Sequence, residues 1–196
     1  MCLKKIFIPI IFVVFTFNSC HLPKYTLGTI TPYVDFRTGK WLLNDVQSSE
    51  DIKPILNKIA TKNFKIFLND RLFNVSNTNG IIVPNFIPLN PTEDILKDLR
   101  NGTAFDYYIN IKAQPIKNEL GSILIGDNND NYTNQGNITV EIYNLNTLQI
   151  IFHQTAFGTN GTAIFTKNIS FANNANSLII GGLEKIMNEI KKTSKY

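Results

Sequence analysis

The chain predicts an α/β (α+β) sandwich: a mixed sheet of about five strands packed by three helices. Three observations lead there. Helical and strand patterns alternate in the first half, in the order β-α-β. Strand patterns then cluster between residues 106 and 156, and the chain closes on a strongly amphipathic helix. With 43% hydrophobic residues in a chain of 196, there is enough apolar material for one real core.

Residues 39–46 (GKWLLNDV) read as the first strand, with Trp41 and Leu43 on one face and Leu42 on the other. Residues 51–62 read as a helix with Ile52, Ile55, Leu56 and Ile59 at helical spacing, and Pro54 confined to its first turn. Phe64, Ile66 and Leu68 alternate in NFKIFL and predict a strand over 63–68. Residues 69–89 are ambiguous: Asn79-Gly80 signals a turn, 81–83 offer a short strand, and Pro84 and Pro88 interrupt anything longer. A second helix is expected to start at Asn90 as N-cap, with Pro91 at N1, Glu93 at N3, and Ile95, Leu96 and Leu99 as its stripe.

Strands follow at 106–114, 137–143 and 149–156, the last two joined by the short link 144–148 as a hairpin. A polar stretch, GDNNDNYTNQG, separates the first of these strands from the hairpin, and residues 164–165 offer a further short strand. The closing helix, 177–192, carries Ile179, Leu183, Ile186 and Ile190 on one stripe. Gly181-Gly182 within it suits close packing rather than a phosphate loop.

Few residues suggest chemistry. Asp127, Asn129 and Asn131 have the 1, 3, 5 spacing of a calcium loop, but Tyr132 and Ile138 stand where Gly and Glu are needed, so a polar hairpin loop is the better reading. His153 reads as a half-exposed sheet histidine, and the other histidine is His21. Glu93, Asp94 and Asp98 make an ordinary acidic face near a helix start. One ordered histidine and no cysteine after position 20 offer neither a nucleophile–base pair nor a zinc set. The expectation is therefore no enzyme, no metal and no cofactor. Trp41, Tyr107, Tyr108, Tyr132 and Tyr143 are candidates for a ligand surface, although packing explains most aromatics better.

Without Lys4 and Lys5 the chain holds 17 basic against 15 acidic side chains. Lys185, Lys191, Lys192 and Lys195 alternate with Glu184 and Glu189 as a solvated helix face, so nucleic acid is not an expected partner.

The first twenty residues, MCLKKIFIPIIFVVFTFNSC, have a basic head, a short apolar run, and Ser19 before Cys20. The uncharged run of 14 residues is shorter than the roughly 20 a spanning helix needs. The segment resembles a bacterial lipoprotein signal peptide ending in a lipobox. That resemblance implies a signal peptide over 1–19, cleavage before Cys20, and acylation of its thiol. Residues 20–38 are then expected as lipidated cysteine and flexible tether, and 39–196 as a single periplasmic α/β domain. The implied location is the outer membrane, lipid-anchored, on its periplasmic face.

The element order carries a second resemblance. DIKPILNKIATKNFKIF, DILKDLRNGTAFDYYINIKA, VEIYNLNTLQIIFHQ and the closing helix are similar to the periplasmic domain of the curli-secretion lipoprotein, the TolB N-terminal domain and LpoB-like activators. It implies a non-enzymatic envelope protein whose domain binds another envelope protein as adaptor or activator. The alternatives are a self-assembling secretion-associated lipoprotein of the same fold, and a glycan or small-ligand binding module. The channel form ranks last, because 122–136 and 157–176 are too polar and too short for barrel hairpins.

Overall fold

The structure is a computed structural model that describes residues 23–28, 33–119, 123–124, 133–161, 170–171 and 173–196. The described residues form eight strands and three main helices. They are β1 (Lys24–Leu27), β2 (Trp41–Leu43), α1 (Lys53–Leu68), β3 (Leu72–Asn74), α2 (Glu93–Thr103), β4 (Tyr107–Asn118), β5 (Ile123–Leu124), β6 (Thr133–Asn144), β7 (Gln149–Gly161), β8 (Ser170–Phe171) and α3 (Ala175–Thr193). Six strands form a mixed sheet in the order β1-β7-β6-β4-β2-β3, and β5 pairs with β8 apart from it. The predicted fold class holds, with one strand more than expected.

β2 runs parallel to both β3 and β4, while β4, β6, β7 and β1 pair antiparallel. Ile109, Ile111, Ile138, Val140, Ile142 and Phe152 point to one face, where α1 and α3 cover them. Leu42, Tyr108 and Tyr143 point to the other, where α2 brings Leu96 and Leu99.

Four expectations are corrected. Residues 63–68 are not a strand but the last turns of α1. Phe64, Phe67 and Leu68 continue the helical stripe of Leu56 and Ala60 into the core, so tertiary burial decides between two periods that a six-residue apolar run satisfies alike. Residues 81–83 form no strand; the pairing strand lies earlier, at β3. Asn90 is not the N-cap of α2: Thr92 is, and Asn90 has φ of 50°. Asparagine tolerates this left-handed turn, which redirects the chain before the helix begins.

The tether also ends sooner than expected. Residues 24–27 form β1, paired from Lys24 opposite Thr159 to Leu27 opposite Ala156. Val34 and Phe36 are buried, and Phe36 stacks on Phe67 with ring centroids 5.1 Å apart. Apolar side chains at these positions have core surface to cover, which a free tether would leave in water.

Residues 1–20, the loop 125–132 and the short strand expected at 164–165 lie outside the described residues. Among the described residues no helix is long and apolar enough to cross a membrane.

Candidate functional site

The chain leaves β2 toward one face of the sheet, into α1, and leaves β3 toward the other, through a strap over 79–92 into α2. Connections that part in opposite directions open a crevice at the carboxyl ends of the strands. Two cavities lie there, both walled by Asn44 and Asp45. One, of about 380 Å³, runs under α1 between Asn57, Thr61 and Asn74. The other, of about 330 Å³, runs beside the strap between Gln47, Lys53, Pro84 and Phe86.

The crevice is lined by amides, hydroxyls, lysines and the Asp45 carboxylate, with Val75, Val83 and Pro84 as apolar lining on the strap side. The Val46 N–H donates to Asn57 Oδ1 at 2.7 Å, which fixes one wall to α1. Gln47 Nε2 donates to the Ile87 carbonyl at 2.6 Å and to Asn110 Oδ1 at 3.1 Å. Asn110 Nδ2 in turn donates to the Pro88 carbonyl at 3.1 Å. Two acceptors, Gln47 Oε1 and Asn74 Oδ1, are buried without a hydrogen-bond partner among the described residues. Buried acceptors without donors are costly, so a bound N–H would be rewarded at either wall. Among the described residues no group of three metal-ligating side chains occurs.

The strap is pinned at three points. Ile87 is buried among Leu42, Tyr108 and Tyr143. The Ile82 N–H donates to the Gly102 carbonyl at 2.8 Å, and α2 approaches so closely that a Cβ on Gly102 would collide with the Ile82 carbonyl oxygen. The Asn90 N–H donates to Glu141 Oε2 at 3.0 Å and to Tyr143 Oη at 3.1 Å. Between these pins Ile82 is 77% exposed and Phe86 63%.

Glu141 is the one acidic residue among the buried side chains described, at 1% exposure. It accepts from Tyr143 Oη at 2.5 Å, and His153 Nδ1 lies 3.0 Å from its other oxygen. Burial, and then the bond to Glu141, push the Tyr143 hydroxyl above the usual tyrosine range. A buried carboxylate with three such partners is a satisfied network that stitches the strap to the sheet.

Of the residues singled out from sequence, His153 is half-exposed as expected. Its partner Glu141 was missed, because cross-strand register is not written in either strand alone. Trp41, Tyr108 and Tyr143 are buried, and Trp41 stacks on Tyr107 with centroids 4.0 Å apart, so these rings pack rather than line the crevice. Glu93 and Asp94 sit in the first turn of α2 and pair with Lys97. Gly181 and Gly182 give α3 its close approach to Tyr25 and to Ile138. Cys20, Tyr132 and the loop of Asp127, Asn129 and Asn131 lie outside the described residues. Sequence reasoning passed over Ile82 and Phe86; the prolines around them, Pro84 and Pro88, were the signal that this segment is held extended.

No family model and no curated protein matches the chain. Among solved structures it is similar to the PelC dodecamer from Paraburkholderia phytofirmans, at 11% identity and a TM-score of 0.48, over 89% of this chain and 100% of that one. It is also similar to the lipoprotein GNA1162 from Neisseria meningitidis, at 11% identity and a TM-score of 0.40, over 78% and 99%. A third is the hypothetical protein CT253 from Chlamydia trachomatis, at 9% identity and a TM-score of 0.39, over 79% and 95%.

Proposed function

We propose that this chain is a non-enzymatic, lipid-anchored protein of the cell envelope whose α/β domain binds another envelope protein through the strap and its crevice. The observation that carries the reading is the exposure of Phe86 and Ile82 on a segment pinned at Ile87, Asn90 and Gly102. An aromatic and an aliphatic knob held rigidly beside a polar groove lose little entropy on docking, and such anchors dominate protein interfaces. The lipobox-like end of the leader, with Cys20 as attachment point, supports anchoring, and the periplasmic face of the outer membrane is the proposed location.

In-cell crosslinking of tagged protein, with adducts identified by mass spectrometry, tests this reading. One heterologous adduct is expected, reduced about tenfold by Phe86→Ser while stability stays within about 0.5 kcal/mol. A ladder of self-multiples, or an adduct indifferent to Phe86→Ser, would sink it.

A further inference from the structure

We infer that the cavity under α1 binds an acidic sugar, with Lys58 and Lys62 on its acidic group and the surrounding amides on its hydroxyls. The inference goes beyond the docking reading above. It concerns a small ligand, in a cavity that shares only Asn44 and Asp45 with the one beside the strap. The cavity measures about 380 Å³, within the size range of small-ligand sites. It lies at the carboxyl ends of the parallel strands β2 and β3, where open α/β sheets hold ligands. Its charge is set by α1, which carries Lys53, Lys58, Lys62 and Lys65 and no carboxylate. Lys53 pairs with Glu50. Lys58 and Lys62 make no ion pair among the described residues, although Asp45 lines the same cavity. One helical turn apart on one face, the two ammonium groups can converge on a single anionic group.

The rest of the lining fixes the kind of anion. Asn44, Asn57, Asn74 and Asn77 bring amides, and Thr61 and Ser76 bring hydroxyls. Each of these groups both donates and accepts. Sugar hydroxyls do the same, so one hydroxyl can satisfy two of them at once. The Val46 N–H occupies Asn57 Oδ1 and leaves Asn57 Nδ2 to donate. The side chains of Thr61, Ser76 and Asn77 make no hydrogen bond among the described residues, so a ligand breaks no internal bond to reach them. The oxygens of Asp45 only accept, and ring hydroxyls are donors they can take, which gives a carboxylate a place in a cationic site. Among the described residues of the lining only Leu43 is apolar. An acyl chain would find little surface to cover there, and a nucleobase no ring on which to stack.

The test titrates the full chain, in detergent micelles, by calorimetry. The probes are glucuronate, digalacturonate and glucose monophosphate, with cellobiose and inorganic phosphate beside them. Saturable binding of at least one acidic sugar is expected, about tenfold tighter than that of cellobiose or inorganic phosphate. The preference between glucuronate and glucose monophosphate then names the acidic group. Lys58→Gln combined with Lys62→Gln should weaken binding about tenfold or more. Lys65→Gln, on the same helix but outside the cavity, should weaken it less than about twofold, because salt screens a charge that makes no contact. All three lysines are exposed, and an unchanged urea midpoint checks that each variant is folded. No saturable binding of any acidic sugar overturns the inference. So does inorganic phosphate that binds as tightly, which leaves a simple anion site, or cellobiose that binds as tightly, which removes the lysines from the account. A loss with Lys65→Gln as large as with the pair shows diffuse charge and overturns it too. The crosslinked adduct that depends on Phe86 is unaffected by any of these results, so the docking reading stands or falls separately.

Discussion

The half of the sheet built from β2 and β3 and the arm built from β4, β6, β7 and β1 solve burial in different ways. β2 is three residues, Trp-Leu-Leu, all buried, because α1 covers one of its faces and the strap with α2 covers the other. In the arm, β4, β6 and β7 run 12 or 13 residues and are covered on one face by α3. β6 shows the change within one strand: burial alternates from Thr133 to Ile138 and is continuous from there to Tyr143. The break falls where the strap begins to cover the second face. The interiors differ as well. Beneath α3 the arm buries Asn134, Gln154 and Asn160, and both amide atoms of Gln154 lack a hydrogen-bond partner among the described residues. The same face in the other half is lined by Phe36, Trp41, Phe64 and Phe67. The lesson is that the compact half supplies rigidity and carries the displayed side chains, whereas the arm spans distance with a less apolar interior.

The strongest way to break the contrast is Phe64→Ala, which empties the aromatic cluster of the compact half. It should cost about 3–5 kcal/mol in urea unfolding and lower the whole transition. If it instead left stability unchanged, the compact half would not be the stable one. Glu141→Ala sharpens the contrast at the seam. It strands the hydrogen of the Tyr143 hydroxyl and leaves the Asn90 N–H on Tyr143 Oη alone, costs about 1–3 kcal/mol, and should speed amide exchange at Asn90 more than at Ile138 in the arm.

The smallest effect is expected at Asp106. The Lys40 N–H, then the Asn146 side chain, hold its carboxyl below the usual range. A depressed folded value means that its contribution is complete above the unfolded value near 4 and is lost as pH falls through the folded one. The group is largely solvated, so solvent screening keeps the contribution small. Asp106→Asn should flatten the acid limb of stability below about pH 4 and lower stability slightly at neutral pH, where the contribution is complete.

Much of the fold was legible because its signals are local. The stripe of α3, the hairpin of β6 and β7, and the buried run of β2 are each set by neighbours within one element. What was not legible depends on partners far along the chain. The strand-like alternation of Phe64, Ile66 and Leu68 gave way to a helix because Leu56 and Ala60 already lay on the same buried stripe. Tyr25 and Leu27 resemble tether residues until β7 is in place beside them. The crevice follows from two connections that diverge, and the Glu141 network follows from register; neither leaves a motif. Pro84 and Pro88 were visible, but what they hold extended became clear only through the pins at Ile87 and Asn90.

The pairing of β1 also has a consequence in time. β2, β3 and β4 meet within the span from Trp41 to Ile109, but Lys24 must wait for Thr159, 135 positions further on. Contacts so distant in sequence form late, after shorter loops have closed. During synthesis β1 emerges before the other strands and can pair only once β7 has followed. Until β1 has docked on it, the outer edge of β7 offers its backbone to any passing strand. Dilution, or a chaperone that masks that edge, should therefore improve refolding yield more than any change to the compact half.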